Sequence, residues 1–245
     1  LSATRIDRAG LIVKGRENLL LQSNQFDTTW ANSSTSETGG QSGYDGSNDA
    51  WLLTKTAASG YIVQSISSNA VQTFSVYAKA GSLDFISLFI IASGNQNVYF
   101  DLQNGTIGSS VYGNEIDAKI TSAGNGFYRC SVSVNTSISS VRIYPADADN
   151  DVSGTSGNIL IQSAQLEQGL AASPYIPTTT TTAQAGVLEN TPRLNYTTGV
   201  ANPYLLLEPS RSNVIAQSEY YNTYWNINDV TIEDNSAISP EGLQN

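Results

Sequence analysis

Between Asn18 and Glu167 the chain keeps one rhythm. Short runs rich in Val, Ile, Phe, Tyr and Thr recur about every ten residues, separated by clusters of Gly, Asn, Asp and Ser. Helical periodicity is almost absent, so the pattern predicts an all-β chain: an antiparallel β-sandwich of the jelly-roll kind. Strands are expected near Asn18–Ser23, Ala50–Thr56, Tyr61–Ser67, Gln72–Lys79, Phe85–Ala92, Val98–Leu102, Thr106–Tyr112, Ala118–Ser122, Phe127–Asn135, Val141–Tyr144 and Ile159–Glu167. Alternation sets their faces. Phe74, Val76 and Ala78 share one side against Thr73, Ser75, Tyr77 and Lys79, and Tyr128, Cys130, Val132 and Val134 stand against Arg129, Ser131 and Ser133.

Composition removes several functions. The 245 residues contain no His and one Cys, so Ser-His and Cys-His nucleophile pairs, most catalytic zinc geometries and an intrachain disulfide are all unavailable. Cys130 reads as a buried core thiol rather than a nucleophile. With 11 basic and 21 acidic side chains, a formal charge of -10 opposes phosphate backbones and anionic lipid, so no nucleic-acid partner is expected. The longest apolar stretch, Phe85–Ala92, is far short of the ~20 residues that span a bilayer, so no membrane insertion is expected. The sequence opens at Leu1 with neither an initiator Met nor a signal region, and reads as a piece of a longer chain.

After Glu167 the texture changes to Pro174, Pro177 and the run Thr178–Thr182, an extended, weakly packing stretch. Beyond it lies an internal repeat. Arg16, Asn18, Gln22, Ser23, Thr28 and Trp30 recur as Arg211, Asn213, Gln217, Ser218, Thr223 and Trp225, six identities in fifteen positions with no gap. The organisation that follows is an N-terminal extended segment (1–15), a sandwich module (16–177), a Thr-rich linker (178–210) and the first part of a second, incomplete module (211–245). Such a fragment leaves a strand without its sheet, which calls for continuation of the chain or for a neighbouring subunit.

The segments ENLLLQSNQFDTTW, FSVYAKAG, GFYRCSVSV and ILIQSAQLEQGLAASPYIPTT resemble a family of β-sandwich modules of tailed-bacteriophage fibre and spike proteins and related head-fibre proteins. The likeness covers about residues 16–182, and PRLNY and LLLEPSRSN resemble that family's lead-in to another copy. It implies a carbohydrate-binding-module-like jelly roll in tandem copies on an oligomeric virion appendage, outside the cell on the phage particle. The implied partners are other virion subunits in a homo-oligomer, with a trimer favoured, and a host-surface polysaccharide. The implied role is structural and non-enzymatic, in a tail fibre, tail spike or head fibre, with glycan binding added. The alternatives are a carbohydrate-binding module of a secreted polysaccharide-degrading protein and a polysaccharide depolymerase. Where the family often carries an aromatic before AQLE, this chain has Gln162, so that position offers no ring.

Sugar recognition by such a fold needs aromatic platforms with amide, carboxylate or guanidinium neighbours. Tyr44, Trp51 and Tyr112 lie nearest turns and are the platform candidates, with Asn48 and Asp49 as polar partners and Gln41 behind them. Trp30 is also near a turn, but its recurrence as Trp225 marks it as packing. Asp147, Asp149 and Asp151 alternate as the start of a loop for an oxygen-liking cation such as calcium, though Val152 and Asn158 stand where an EF-hand needs Gly and Glu. Asp45 and Asp49 form a weaker pair. Glu167, Glu115, Asp101 and Asp117 are the carboxylates in or beside strands, and none stands in a motif that marks a glycosidase acid and its partner. The sequons at Asn32, Asn104, Asn135 and Asn195 are expected by chance in so Asn- and Ser-rich a chain.

Overall fold

A computed structural model of the chain describes residues 4–6, 12–186, 193–206, 228–229, 231–232 and 237–238. The strands in chain order are β1 (Thr4–Ile6), β2 (Ile12–Lys14), β3 (Arg16–Asn18), β4 (Ala31–Ser33), β5 (Thr35–Gln41), β6 (Ala50–Lys55), β7 (Tyr61–Ala80) and β8 (Phe85–Ala92). They continue as β9 (Gln96–Asp101), β10 (Thr106–Ser110), β11 (Asp117–Gly124), β12 (Phe127–Ala146), β13 (Gly157–Gln168), β14 (Ala183–Ala185), β15 (Arg193–Asn195) and β16 (Tyr204–Leu206). No helix occurs among the described residues, so none there is long and apolar enough to cross a membrane.

Two compact units divide the chain: Asn18–Ala183, and Leu1–Glu17 together with Gln184–Asn245. The second holds the antiparallel hairpins β1–β2 and β15–β16. Hairpins therefore occur in the expected N-terminal segment and in the expected linker. The expected second module, 211–245, lies outside the described residues except for 228–229, 231–232 and 237–238.

The first unit is an antiparallel β-sandwich. Two of its strands, β7 and β12, are twenty residues long and serve both layers. Four of the expected strands thus merge into two. In one layer the order is β11, the first half of β12, the second half of β7, β13, β6 and β5. In the other it is β4, the first half of β7, the second half of β12, β8, β9 and β10. The register of β12 shifts between Ile138 and Ser140 against both neighbours, the mark of a bulge that bends a strand. Its inward phase changes there, from Cys130, Val132, Val134 and Ile138 to Val141 and Ile143. A second shift, between Gln162 and Gln165 of β13, carries Ser163 in the left-handed region (φ 55°).

The inward sides of both layers form one core. Phe74, Val76, Ala78, Leu53, Ile159, Ile161 and Leu166 from one layer meet Ile62, Ile86, Leu88, Ile90, Val98, Phe100 and Ile143 from the other. Cys130 is fully buried among them, and burial pushes its thiol pKa far above the usual range.

The repeated residues are the keystones of this unit. Buried Asn18 donates through Nδ2 to the carbonyls of Ala164 (3.2 Å) and Ile176 (2.9 Å), and its Oδ1 accepts from the amides of Leu20 and Leu166. Ser23 bonds Tyr175 and Thr178. Phe26 and Trp30 pack in the core with centroids 5.3 Å apart, and the Trp30 indole donates to the Gln22 carbonyl. Trp30 is thus a packing residue, as its recurrence implies. The expected strand at Asn18–Ser23 is instead an irregular segment held by side chains.

After β13 the chain doubles back over the outer side of the β11–β5 layer. The carbonyl of Gly169 accepts from Thr73 Oγ1 (2.9 Å), that of Leu170 from Ser133 Oγ (2.9 Å) and that of Ala172 from Arg129 Nη1 (3.4 Å). Ser173 is tied to Glu167, and the Ile176 amide donates to Gln165 Oε1 (2.7 Å). Thr73, Ser75, Ser131 and Ser133, which alternation places on a polar side, are buried under this strap. Thr178 bonds the Leu20 carbonyl (2.6 Å), so the Thr run begins inside the sandwich.

Candidate functional site

Among the described residues no such strap crosses the outer side of the β4–β10 layer. Alternation that turns Ile86, Leu88 and Ile90 inward turns Ser87 and Phe89 outward, and the same holds for Arg142 and Tyr144 beside Val141 and Ile143. Register then assembles two rows. Val63, Arg142, Phe89 and Asn97 are cross-strand partners in one, and Tyr144, Ser87 and Tyr99 in the next. Tyr61, two residues before Val63, extends the second row and meets Tyr144 with ring centroids 4.8 Å apart. From the segment after β10, Tyr112 lies nearly parallel to Phe89 (5.9 Å, 15°) and is 48% exposed.

Arg142 sits in the middle of these rings. Its guanidinium carbon lies 4.5 Å from the Tyr61 centroid and 5.7 Å from that of Phe89, cation–π distances. Its Nη1 donates to the Tyr144 hydroxyl (3.2 Å), while Nε is shielded and unpartnered. Burial raises the Tyr144 pKa against the opposing pull of Arg142, and burial likewise raises that of Tyr99. Both phenols therefore stay neutral across ordinary pH. Asn97 donates to the Tyr99 hydroxyl (3.5 Å) and accepts from Ser87. Flat apolar rings beside fixed amide, hydroxyl and guanidinium groups are what a sugar ring, apolar on its faces and polar at its rim, is bound by.

The residues singled out from sequence are divided between two regions. Tyr112 belongs to the face just described. Tyr44 lies on the other layer, stacked on Tyr77 (3.9 Å, 4°), where burial first and then the Tyr77 neighbour push its pKa up to about 12. Asn48 and Asp49 are exposed in the same loop as Tyr44. Trp51 is no platform: it is buried, edge-on to Phe26, packed against Gly39, and its indole donates to the Asn24 carbonyl (3.0 Å). Its inward phase on β6 puts it there. Gln162 is the hub of the Tyr44 loop, accepting from the Tyr44 amide (3.0 Å) and donating to Asp49 (2.5 Å).

The three carboxylates expected to wrap a cation do not converge. Asp147 pairs with buried Lys55 (2.5 Å) and accepts from the Gly154 amide. Asp149 accepts from the amide and hydroxyl of Ser109 (both 2.7 Å), and Asp151 from the Ser153 amide, whose bonds hold its pKa below the usual range. No group of three or more His, Cys, Asp or Glu that could hold a metal occurs among the described residues. Asp45 and Asp49 do come together, both accepting from Ser47.

Of the carboxylates weighed for hydrolysis, Glu167 is buried and takes donors from Gln165 (2.6 Å) and the Ser173 amide (2.8 Å) and hydroxyl. Asp101 closes the β9–β10 turn through Gln103 and Asn104; burial raises its pKa, but these bonds outweigh it and hold the carboxyl below the usual range. Glu115 accepts from Ser110 (2.7 Å). Sequence reasoning missed Tyr61, Phe89, Arg142 and Tyr144. The signal was the outward phase of strands whose inward phase was already clear.

No family model matches the chain, and no curated protein matches it. Among solved structures it is similar to the enzymatically active domain of tailspike protein 4 of bacteriophage CBA120, at 14% identity and a TM-score of 0.35 over 61% of this chain. The chain spans 21% of that protein. It is also similar to a family 29 carbohydrate-binding module (7% identity, TM-score 0.35, 63% of this chain and 91% of that one). A third is the CBM22-1-GH10 portion of Clostridium thermocellum xylanase 10B (10%, 0.35, 65% and 29%).

Proposed function

We propose that the sandwich is a non-catalytic carbohydrate-binding module of a tailed-phage virion appendage, a tail fibre, tail spike or head fibre, that holds host-surface polysaccharide on its open face. The observation that carries this reading is the sheet face on which Tyr61, Phe89 and the half-exposed Tyr112 surround Arg142, with the buried Tyr144 beside it. A protein face that only packs has little use for a half-exposed ring stacked on another ring, whereas a sugar platform requires one. The appendage part of the proposal rests on the sequence resemblance and on the repeat, whose shared residues are packing residues and so serve the building of tandem copies. The homo-oligomer belongs to the same proposal.

Affinity electrophoresis through gels containing bacterial surface polysaccharides tests the binding role. Retardation by at least one polysaccharide is expected. Tyr112→Ala, a change at an exposed position, is expected to weaken it by about tenfold, the scale of one lost ring contact. No retardation by any polysaccharide, with the fold intact, sinks the binding role. Light scattering tests the assembly role, where a stable monomer counts against self-association.

A further inference from the structure

We infer that the open face selects an acidic saccharide, with Arg142 as the group that reads its carboxylate; this rests on the carbohydrate reading of that face. The two guanidiniums of β12 make the case by contrast. Arg129 and Arg142 each lie against a tyrosine ring, Tyr77 at 5.2 Å and Tyr61 at 4.5 Å. Each has a shielded, unpartnered Nε. They differ at the terminal nitrogens. Arg129 spends both on the protein, Nη1 on the Ala172 carbonyl and Nη2 on Ser75 (3.0 Å). Arg142 spends Nη1 on the Tyr144 hydroxyl, and its Nη2 makes no hydrogen bond with the described residues.

Nor does Arg142 pair with a carboxylate among the described residues, in a chain where acids outnumber bases 21 to 11. The aspartates that crowd the neighbouring loop are engaged elsewhere: Asp149 with Ser109, Asp151 with Ser153 and Asp147 with Lys55. A half-buried guanidinium, fixed in direction by two rings and left with an idle donor, is poised for an incoming anion. The flat rings on either side require that the anion be carried on a ring with apolar faces. A hexuronic acid meets both demands, with its pyranose over Phe89 and Tyr112 and its carboxylate at the terminal nitrogens of Arg142. The formal charge of -10 repels an anionic chain at long range, so the contact must work locally, under screening of about 8 Å at physiological salt.

The test uses the full chain in 0.15 M salt with two probes, hexagalacturonic acid and its fully methyl-esterified form, which share rings and linkage and differ in charge. The acid is expected to bind at least about tenfold tighter than the ester, the scale of a charge-assisted hydrogen bond. Arg142→Gln is expected to abolish that preference, so that the two probes bind alike, with Arg142→Lys restoring part of it. Equal affinity for both probes, or a preference that survives Arg142→Gln, overturns the acidic selectivity alone. Binding of neither probe overturns it as well. Failure of the wider reading is recognised separately, by Tyr112→Ala having no effect on retardation by any polysaccharide, charged or neutral.

Discussion

The strands β7 and β12 contribute to both outer faces of the sandwich, and among the described residues a returning segment covers only one of them. In its second half β7 gives Thr73, Ser75 and Tyr77 to the strapped face, and in its first half it gives Tyr61 and Val63 to the open one. Likewise β12 supplies Arg129, Ser131 and Ser133 to the first and Arg142 and Tyr144 to the second. On the strapped face small hydroxyls meet backbone carbonyls of 169–172. On the other face large rings meet one another, an arginine and the Asn97 amide. Small polar residues make a surface that a chain can seal by hydrogen bonds, whereas rings make one that needs an amphipathic occupant.

Loosening the strap gives the largest expected effect. Asn18 ties the start of the sandwich to Ile176 and Ala164, and Asn18→Ala leaves four buried backbone groups without their partner. At 1–3 kcal/mol for each unsatisfied group, partly offset by relaxation, a loss of about 4 kcal/mol is expected. The urea midpoint of the variant should fall accordingly. A change under about 1 kcal/mol would mean that the strap is not held through Asn18. The same residue recurs as Asn213, which makes this the most direct probe of what the repeat preserves.

Tyrosines at matched places on the two faces should separate stability from binding. Tyr77 is stacked under Tyr44, lies beside Arg129 and packs with Ala50 and Phe127. Tyr77→Ala is expected to cost about 3 kcal/mol in chemical denaturation, the scale of removing a buried ring, with polysaccharide affinity unchanged in what remains folded. Tyr61, half-buried on the open face, is expected to cost about 1 kcal/mol when replaced by Ala, mostly through lost packing on Tyr144 and Arg142. Its main effect should be on retardation by polysaccharide. If both variants lose stability equally and binding not at all, the distinction between the faces disappears.

Much of this was legible in the sequence, because a half-buried strand writes its inner face in alternate residues. Phe74, Val76, Ala78, Cys130, Val132 and Val134 all lie inward as the pattern has them. The bends in β7 and β12 were not legible: a single strand that passes between two layers looks like two strands where its middle, around Ser65–Ala70, becomes polar. Strands β4 and β5 were missed because ANS and TSETGGQ carry no apolar alternation; their backbone pairing holds them at the edges of the layers. The strap escaped for a related reason. Alternation marks which side of a strand is polar, but only the path of 169–176 decides whether that side faces water. Proximity to turns likewise proved a poor guide to exposure, since Trp51 is buried.

The Tyr44–Tyr77 stack offers the smallest and most local effect, on the alkaline side. In the unfolded chain Tyr44 ionises near 10, and in the folded protein its pKa is pushed up to about 12. The folded state therefore holds this proton where the unfolded state has lost it. Its contribution to stability is fully present below pH 10 and is lost as pH rises from about 10 to 12. A spectrophotometric titration of phenolate absorbance should show a late step, because burial raises Tyr99, Tyr144 and Tyr175 as well, and Tyr44→Phe should lower the amplitude of that step by one phenol. If instead Tyr44→Phe leaves that step unchanged, the loop does not close over Tyr77 in solution, and the covered face is sealed by the strap alone.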